Sequence, residues 1–503
     1  MSAQQSIKKI TSYLFLLRMF RMSLSVVTLI FSAKYFGVSM ERDVWILVTT
    51  LLVTIGAAFW GPINDTFRAK FIFLKESEGE ESVISKTLSL TVFILLSTLL
   101  VSLCIFLFGK KIALTMITSP TDVNTSLFIS ILFIMLPTLL INQLSAIGIS
   151  ILNAYDIFYT PEIVGAISAL LNICIIVCLA PIIGIYSLAI SQYVSILILL
   201  FAVFISIKHV HLFNWKSTFL IRFSDVKIFL LFSLPFFFPY FVGQCNALVE
   251  KWLAGWLGEG NISSLDYARQ FTLVLQNVMN SILATVMVPM LAKAYMQKNC
   301  QHFVDILKEN LAVCFAILSL ILPILCGATN SLCEFFFFRG KISIEALDTI
   351  IYLTRFYSIA FIGILLYLIS GCTLLASNKG KQCALWGVLT QVTILILNIA
   401  FISICDIYIF PVSIGVSHLL AAVIMSLKID IPDRKVIYGR ILKYSIIVIF
   451  MSGILEIFNC IVKLEQPLLQ LFLNVLLVLL LFLTFSKEFN IDIKRSLLNI
   501  LRR

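Results

Sequence analysis

The sequence predicts an all-α polytopic membrane protein, and three observations lead to that fold class. Apolar runs of about twenty residues recur at roughly thirty- to forty-residue intervals along the 503-residue chain. The composition is 60% hydrophobic and only 13% charged, and the mean hydropathy is +1.04. Lys and Arg concentrate in alternate loops. A helix of about 20 residues crosses the roughly 30 Å hydrocarbon core of a bilayer and satisfies its own backbone hydrogen bonds there.

The apolar runs predict about 14 transmembrane helices. In chain order they lie near 12–36, 44–63, 83–108, 126–150, 160–180, 184–207, 227–253, 266–291, 305–329, 346–376, 382–404, 407–427, 441–463 and 467–486. The first run carries Arg18 and Arg21 and lacks a convincing small-residue cleavage site. We therefore interpret it as the first helix rather than as a signal peptide.

The net charge of +11 follows the expected topology rather than indicating nucleic acid. If the amino terminus is cytoplasmic, most Lys and Arg residues fall in inner loops and tails, and few fall in outer loops. This asymmetry predicts that both termini are cytoplasmic. The last segment, Lys487 to Arg503, mixes apolar and basic residues. It is interpreted either as a helix on an anionic inner leaflet or as a frayed basic tail.

A local echo indicates an internal duplication. Ala33 to Gly37, followed by Asp43, is echoed by Ala254 to Gly258, followed by Asp266. We expect two pseudo-symmetric six-helix lobes with a substrate site at their interface, near the middle of the membrane. The predicted domains are an N-terminal lobe at 1–226, a C-terminal lobe at 227–440, and two further helices with a basic tail at 441–503.

Several charged residues fall within or at the edges of predicted helices. Arg18 and Arg21 stand three apart on one face of the first helix. Charge at membrane depth is costly, so we expect these arginines and Arg269 to face a polar cavity. Lys251 would do so too, or would snorkel to the interface or pair with Glu250. A cavity lined by cations implies an anionic cargo, and the guanidinium fork suits phosphate or pyrophosphate.

The sequence offers no sign of a metal centre or an ATP site. The 12 cysteines mostly lie singly in apolar helices, where cysteine behaves as a small hydrophobic residue. None stands at metal-ligand spacing. There is no phosphate-binding loop for ATP, so we expect transport to be driven by membrane potential or by an ion gradient, with no cofactor.

Six stretches, taken in order, carry a resemblance to a known family. They are Ala33-Lys-Tyr-Phe-Gly-Val-Ser-Met-Glu-Arg-Asp43, Ile151 to Pro161, Leu179 to Ala189, Asn246 to Phe271, Thr285-Val-Met-Val-Pro289 and Phe338-Arg-Gly340. Together they resemble the MurJ (MviN) family of lipid II flippases over nearly the whole chain. The resemblance implies a fourteen-helix fold of the multidrug/oligosaccharidyl-lipid/polysaccharide exporter superfamily, working by alternating access.

The resemblance also implies functional residues. In the family, arginines of helices 1, 2 and 8 hold the pyrophosphate of the lipid. Here the two helix 1 positions fall on Met22 and Thr28, the helix 2 position falls near Gly56, and the helix 8 motif reads Ala268-Arg269-Gln270. The charge is partly relocated, so the resemblance implies a divergent member of the family. The predicted substrate-binding residues are Arg18, Arg21, Arg269, Lys251 and Asp43.

Some members of the family bind a sodium ion among helices 7, 11 and 12. By position, that site resembles Glu250, Asn398 and Ser417. Ordinary polar packing accounts for Asn398 and Ser417 equally well. Coupling to Na⁺ is therefore an expectation drawn from the resemblance.

The predicted function is translocation of an undecaprenyl-pyrophosphate-linked glycan, lipid II or a related polysaccharide repeat unit, across the bacterial inner membrane. The expected partners are this lipid and the membrane, not nucleic acid, and no catalysis is expected. One alternative is a drug or cation antiporter of the same superfamily, which should carry acidic residues deep in a lobe. The other is a membrane glycan polymerase or acyltransferase, which usually needs a larger outer loop.

Overall fold

A computed structural model describes residues 3–118, 120–155, 157–209, 222–337, 340–429 and 434–489, with side chains from residue 17 onward except at 19, 209 and 285. The described residues are helical throughout apart from short connections, with no β-strand among them, which confirms the predicted all-α class. The chain divides into two compact units, Met1–Ser263 and Ser264–Arg503. Most of the predicted tail helix, most of the basic loop from Lys208 to Lys227, and residues 338–339 of the family stretch lie outside the described residues.

The described residues of the first unit form eight complete helices. They are α1 (Ala3–Phe36), α2 (Met40–Glu78), α3 (Glu80–Met116), α4 (Asp122–Met135), α5 (Pro137–Ala154), α6 (Tyr159–Ile183), α7 (Tyr186–His209) and α8 (Phe223–Trp256). The predicted fourth segment is divided into α4 and α5 next to Pro137. Proline cannot donate a backbone hydrogen bond, which makes it a natural first residue of a new helix.

The second unit holds most of α9 and all later helices. They are α9 (Asn261–Ile282), which passes through a π-helical turn at Leu283–Met287 into α10 (Val288–Met296), then α11 (Cys300–Gly327), α12 (Thr329–Phe337), α13 (Ile344–Ala376), α14 (Gly380–Cys405), α15 (Ile409–Leu427), α16 (Arg434–Ile461) and α17 (Pro467–Phe485). Each of the fourteen predicted segments coincides with helix. The short α12 was not predicted.

The outer surfaces of the helices are apolar, as a membrane requires. Within the described residues, 11 helical segments are long and apolar enough to cross a bilayer by length and composition. One of them spans both α14 and α15, and α1 and α9–α10 are not among them. On α3, Leu100, Leu107 and Phe108 are largely exposed. Apolar exposure on this scale marks a lipid-facing surface.

The core of the first unit lies where α2, α3, α5 and α8 meet. Phe67 of α2 stacks on Phe229 of α8 with ring centroids 5.4 Å apart, and both side chains are buried. Helix α8 therefore packs within the first compact unit, whereas the sequence placed a lobe boundary at residue 226. The predicted lobe boundaries stay a prediction.

In the second unit, α13 and α15 approach closely through small residues. A Cβ added at Gly363 would lie 2.6 Å from the Gly415 carbonyl oxygen, and one added at Gly415 would lie 2.9 Å from the Ala360 Cβ. Small residues at helix contacts allow this approach in membranes, where burial of apolar surface gives little drive for association.

Polar bonds fasten α16 and α17 to the rest of the second unit. The Asn459 Nδ2 donates to the Gly327 carbonyl at 2.8 Å, and the Asn474 Nδ2 donates to the Ser331 Oγ at 3.2 Å. Gln470 links the two helices, because its Nε2 donates to the Asn459 Oδ1 at 2.6 Å. These two helices are thus joined to α11 and α12 by directed bonds as well as by apolar packing.

Candidate functional site

Arg18 and Arg21 share one acidic partner. The Arg18 Nε lies 2.7 Å from the Glu162 Oε1, and the Arg21 Nη1 lies 3.5 Å from the Glu162 Oε2. Glu162 stands in the first turn of α6, where a negative charge also complements the helix dipole. The two arginine side chains remain 46% and 47% exposed, so the cluster keeps one net positive charge and an accessible surface. Whether that surface meets substrate stays a prediction.

Asp43 joins the first turn of α2 to the start of α9. Its Oδ2 accepts from the Gly260 backbone N–H at 2.6 Å, and its Oδ1 accepts from the Ser263 backbone N–H at 2.7 Å and from the Ser263 hydroxyl. Gly260 precedes the first helical residue and has no side chain to serve as a cap. The Asp43 carboxylate therefore caps α9 from another helix, and both of its oxygens are occupied.

Glu250 and Lys251 form a buried pair on α8. The Lys251 Nζ lies 3.8 Å from the Glu250 Oε1, and the two side chains are 9% and 4% exposed. The sequence had offered three places for Lys251: a cavity, the membrane interface, or this pair. In the structure Lys251 forms the ion pair with Glu250, and the two opposite charges compensate each other.

Arg269 lies on α9 directly after two fully buried residues, Tyr267 and Ala268. Its own side chain is half-buried and lies within electrostatic range of His418 on α15. The His418 Nδ1 lies 2.7 Å from the Ile414 carbonyl oxygen, and its ring lies edge-on to Tyr367 with centroids 4.9 Å apart. Arg269 thus belongs to a polar group of α9, α13 and α15.

Asn398 and Ser417 lie buried where α14 and α15 pack together. The Asn398 Oδ1 accepts from the Ser413 Oγ at 2.5 Å. The Asn398 Nδ2 and the Ser417 Oγ have no hydrogen-bond partner among the described residues. An orphaned buried hydroxyl oxygen fits a hard cation such as Na⁺, which prefers oxygen ligands. Glu250, the third predicted member, lies in the other unit. In the described part of the chain no group of three or more His, Cys, Asp or Glu side chains is placed to hold a metal ion.

The first unit also contains a mostly apolar cavity with several amide side chains in its wall, which the sequence did not reveal. Its volume is about 460 Å³, and residues of α2, α4, α5, α7 and α8 line it. We call it the amide cavity because its polar lining is dominated by Asn64, Asn142, Gln143 and Gln192. Its lining residues come from five helices, so no sequence motif marks the site.

Solved structures share this fold. The chain aligns with the structure described as lipid II flippase MurJ in an inward closed conformation, with a TM-score of 0.79 and 20% identity over 97% of this chain and 99% of that one. An inward-facing MATE multidrug transporter of the MOP superfamily aligns with a TM-score of 0.67 and 11% identity, over 86% of this chain and 96% of that one. A MOP superfamily transporter from Pyrococcus furiosus aligns with a TM-score of 0.60 and 12% identity, over 82% of this chain and 92% of that one.

The fold and its lipid-facing helices define a multi-pass membrane protein with the architecture shared by these transporters. A sequence search of curated proteins finds no match. The family model described as lipid II flippase MurJ matches residues 32–477. The chain belongs to the MurJ lipid II flippase family, as the ordered stretches from Ala33 onward predicted.

Proposed function

We propose that this protein flips an undecaprenyl-pyrophosphate-linked glycan, lipid II or a related polysaccharide repeat unit, across the bacterial inner membrane by alternating access. The observation that carries the proposal is the match of the flippase family model to residues 32–477. A charged pyrophosphate and its sugars are far too costly to desolvate in hydrocarbon without a protein path. The lipid tail, in contrast, can stay in the bilayer throughout.

In this proposal, Arg18, Arg21 and Arg269 receive the pyrophosphate. Their guanidinium groups offer paired N–H donors that match phosphate oxygens. The half exposure of Arg18 and Arg21 supports this role, and Glu162 would be displaced from them, at least in part, as the phosphate binds. Lys251 and Asp43 stay predictions for substrate binding, although the buried pair and the helix cap give each a structural task.

The driving force in this proposal is the membrane potential or a Na⁺ gradient. When bound, Na⁺ would supply positive charge, and its release on the side of lower Na⁺ concentration would supply the free energy for transport. The orphaned Ser417 oxygen supports a cation position between α14 and α15, next to the Asn398 Oδ1 that accepts from the Ser413 hydroxyl. Transport measured with and without Na⁺, and with and without an imposed potential, separates the two sources of energy.

The proposed topology has both termini in the cytoplasm, with two six-helix lobes at 1–226 and 227–440 and an additional segment at 441–503. The basic residues of the inner loops support this orientation. Cysteine labelling from either side of intact cells tests it. We propose transport without catalysis, since movement of the lipid requires no bond to be broken.

The drug or cation antiporter is the second candidate, favoured only by the fold shared with MATE transporters. An antiporter would bind organic cations in preference to the phospholipid-sugar. The polymerase or acyltransferase alternative predicts that the purified protein extends a glycan chain or transfers an acyl group. Neither result is expected here.

Reconstitution tests the proposal. Purified protein in proteoliposomes should expose lipid II to an added enzyme or label on the opposite leaflet faster than empty vesicles do. Combined Arg18→Ala and Arg21→Ala, and separately Arg269→Ala, should slow this exposure about tenfold or more, because each loses charge-assisted bonds worth roughly 1.5–3 kcal/mol. Lys110→Ala with Lys111→Ala removes two exposed charges from α3 and serves as the matched control. Full activity in both arginine variants would reject this phosphate site.

A further inference from the structure

Another cavity lies in the second unit, between the turn from α10 to α11 and the turn from α13 to α14, and we call it the turn cavity. Its volume of about 410 Å³ falls in the usual range for small-molecule sites, roughly 300–1,000 Å³. Ala294 and Phe303 give its wall a buried apolar part, and Lys298 and Lys379 give it a charged part. No Asp or Glu stands among its described lining residues, so the wall is net positive.

The two turns that border the turn cavity share one backbone geometry. Each closes with a hydrogen bond back to the preceding helix, donated by the Asn299 N–H in one turn and by the Lys379 N–H in the other. Lys298 and Asn378 hold the left-handed conformation that such helix ends require, with φ of 54° and 57°. Asn adopts this conformation more readily than Lys does. Lys298 therefore stands where its backbone preference does not account for it, which points to a role for its charge.

The two lysines of the turn cavity hold their charges differently. The Lys379 Nζ donates to the Lys428 carbonyl at 2.8 Å, which anchors one ammonium group just beyond the end of α15. Lys298 is exposed, and its ammonium group makes no ion pair or hydrogen bond with the described residues. An anion that enters the turn cavity thus meets one anchored cation and one that can turn toward it, and both can donate charge-assisted hydrogen bonds.

Apolar side chains beside these charges indicate that the turn cavity opens at the membrane surface. Tyr295 and Met296 line it and are 44% and 78% exposed. Exposed aromatic and apolar side chains next to lysine are typical of the boundary between hydrocarbon and lipid headgroups. In the proposed topology these turns face the cytoplasm, where the leaflet is anionic.

We infer that the turn cavity binds the phosphate group of an anionic amphiphile. The phosphate lies between the ammonium groups of Lys298 and Lys379, and the apolar part of the ligand lies against Phe303 and Tyr295. Two sources supply this chemistry: an anionic phospholipid of the cytoplasmic leaflet, and a soluble phosphate ester that carries an aromatic ring. One bound ligand would join the two turns and restrain the movement of α10 and α11 relative to α13 and α14. The site shares no residue with the arginines proposed for the pyrophosphate.

Cys300 supplies a probe of this site, because its thiol is exposed and lines the turn cavity. The full-length protein is placed in nanodiscs of phosphatidylcholine, with or without phosphatidylglycerol, and labelling by a water-soluble maleimide is followed by mass spectrometry. Phosphatidylglycerol should slow the labelling of Cys300. It should leave the labelling of Cys460, an exposed thiol of α16, unchanged.

Lys298→Asn tests the charge without disturbing the turn, because Asn suits the left-handed backbone at this position. The loss of one ammonium group should raise the fraction of phosphatidylglycerol needed for half protection of Cys300 about fivefold. Lys381→Asn is the matched control, since Lys381 is exposed and lies outside the lining. It should leave the protection unchanged.

A parallel titration distinguishes the two sources, with ADP added to the protein in phosphatidylcholine alone. Protection of Cys300 by phosphatidylglycerol assigns the ligand to the membrane, and protection by ADP assigns it to soluble phosphate esters. The inference is overturned if neither probe protects Cys300, if Cys460 is slowed equally, or if Lys298→Asn leaves the protection unchanged. None of these outcomes bears on the flipping of lipid II, because the inference does not rest on the proposed function.

Discussion

Replacing Asp43 with Asn removes a negative charge from the start of α9 and keeps the size of the side chain. The carboxylate accepts from two backbone N–H groups, those of Gly260 and Ser263, and from the Ser263 hydroxyl. Asn retains only one acceptor oxygen, so its NH₂ group must face at least one backbone donor. Hydrogen bonds to charged groups contribute roughly 1.5–3 kcal/mol each, and we expect a loss of about 2–4 kcal/mol in the free energy of unfolding.

Thermal unfolding of the purified protein, followed by tryptophan fluorescence, measures this loss. A change of 1 kcal/mol shifts the Tm by about 2–4 °C in domains of roughly this size, so Asp43→Asn should lower the Tm by roughly 5–10 °C. Asp122→Asn is the matched control, because Asp122 stands exposed in the first turn of α4. Its effect should stay within about 0.5 kcal/mol.

Substrate binding by Asp43 predicts a different pattern. In that case Asp43→Asn would leave the Tm unchanged and weaken the binding of lipid II. An unchanged Tm would therefore reject the capping role and return Asp43 to the substrate site.

Three further perturbations test other parts of the structure. Glu162→Gln raises the net charge of the Arg18 and Arg21 cluster, so it should tighten binding of undecaprenyl pyrophosphate several-fold. The free energy of unfolding should change by less than about 1 kcal/mol, since the arginines are half exposed. Weaker binding of undecaprenyl pyrophosphate would contradict this expectation. Gly363→Leu should lower the free energy of unfolding by about 3 kcal/mol or more, because the new side chain forces α13 away from α15. Size-exclusion chromatography should then show a loss of monodisperse protein. Gly453→Ala should be tolerated, because a Cβ at Gly453 meets open space. Gln470→Leu removes bonds to Asn459, Val462 and Leu464 and should lower the Tm by several degrees; a Tm equal to that of the unmodified protein would show that these bonds contribute nothing.

Hydropathy predicted the existence and order of the membrane helices because each apolar run reports the length of chain that lipid can cover. It did not predict where the helices end. The second run was expected to stop near residue 63, yet α2 continues to Glu78, since charged residues remain compatible with helix once it leaves hydrocarbon. The length of an apolar run therefore measures the part of a helix that lies in hydrocarbon, not the full length of the helix.

The partners of the charged residues could not be predicted from spacing. Glu162 lies 144 residues from Arg18 and meets it only because α1 packs on α6. The cap at α9 left a faint signal, because Gly260-Asn-Ile-Ser263 begins a helix without a capping side chain at its first position. The amide cavity left no signal in the sequence, because its side chains come from separate helices. Each of them looks like an ordinary polar residue in an apolar run.

The bonds from Asn459 to the Gly327 carbonyl and from Asn474 to Ser331 bear on how motion in this protein can be observed. Any displacement of the second unit must carry α16 and α17 with it, because separating them would break directed bonds inside the membrane. A fluorophore or spin label on the exposed surface of α17 would therefore report the movement of that whole unit. Such a label is attached to an exposed apolar surface and replaces none of the polar residues expected to handle cargo.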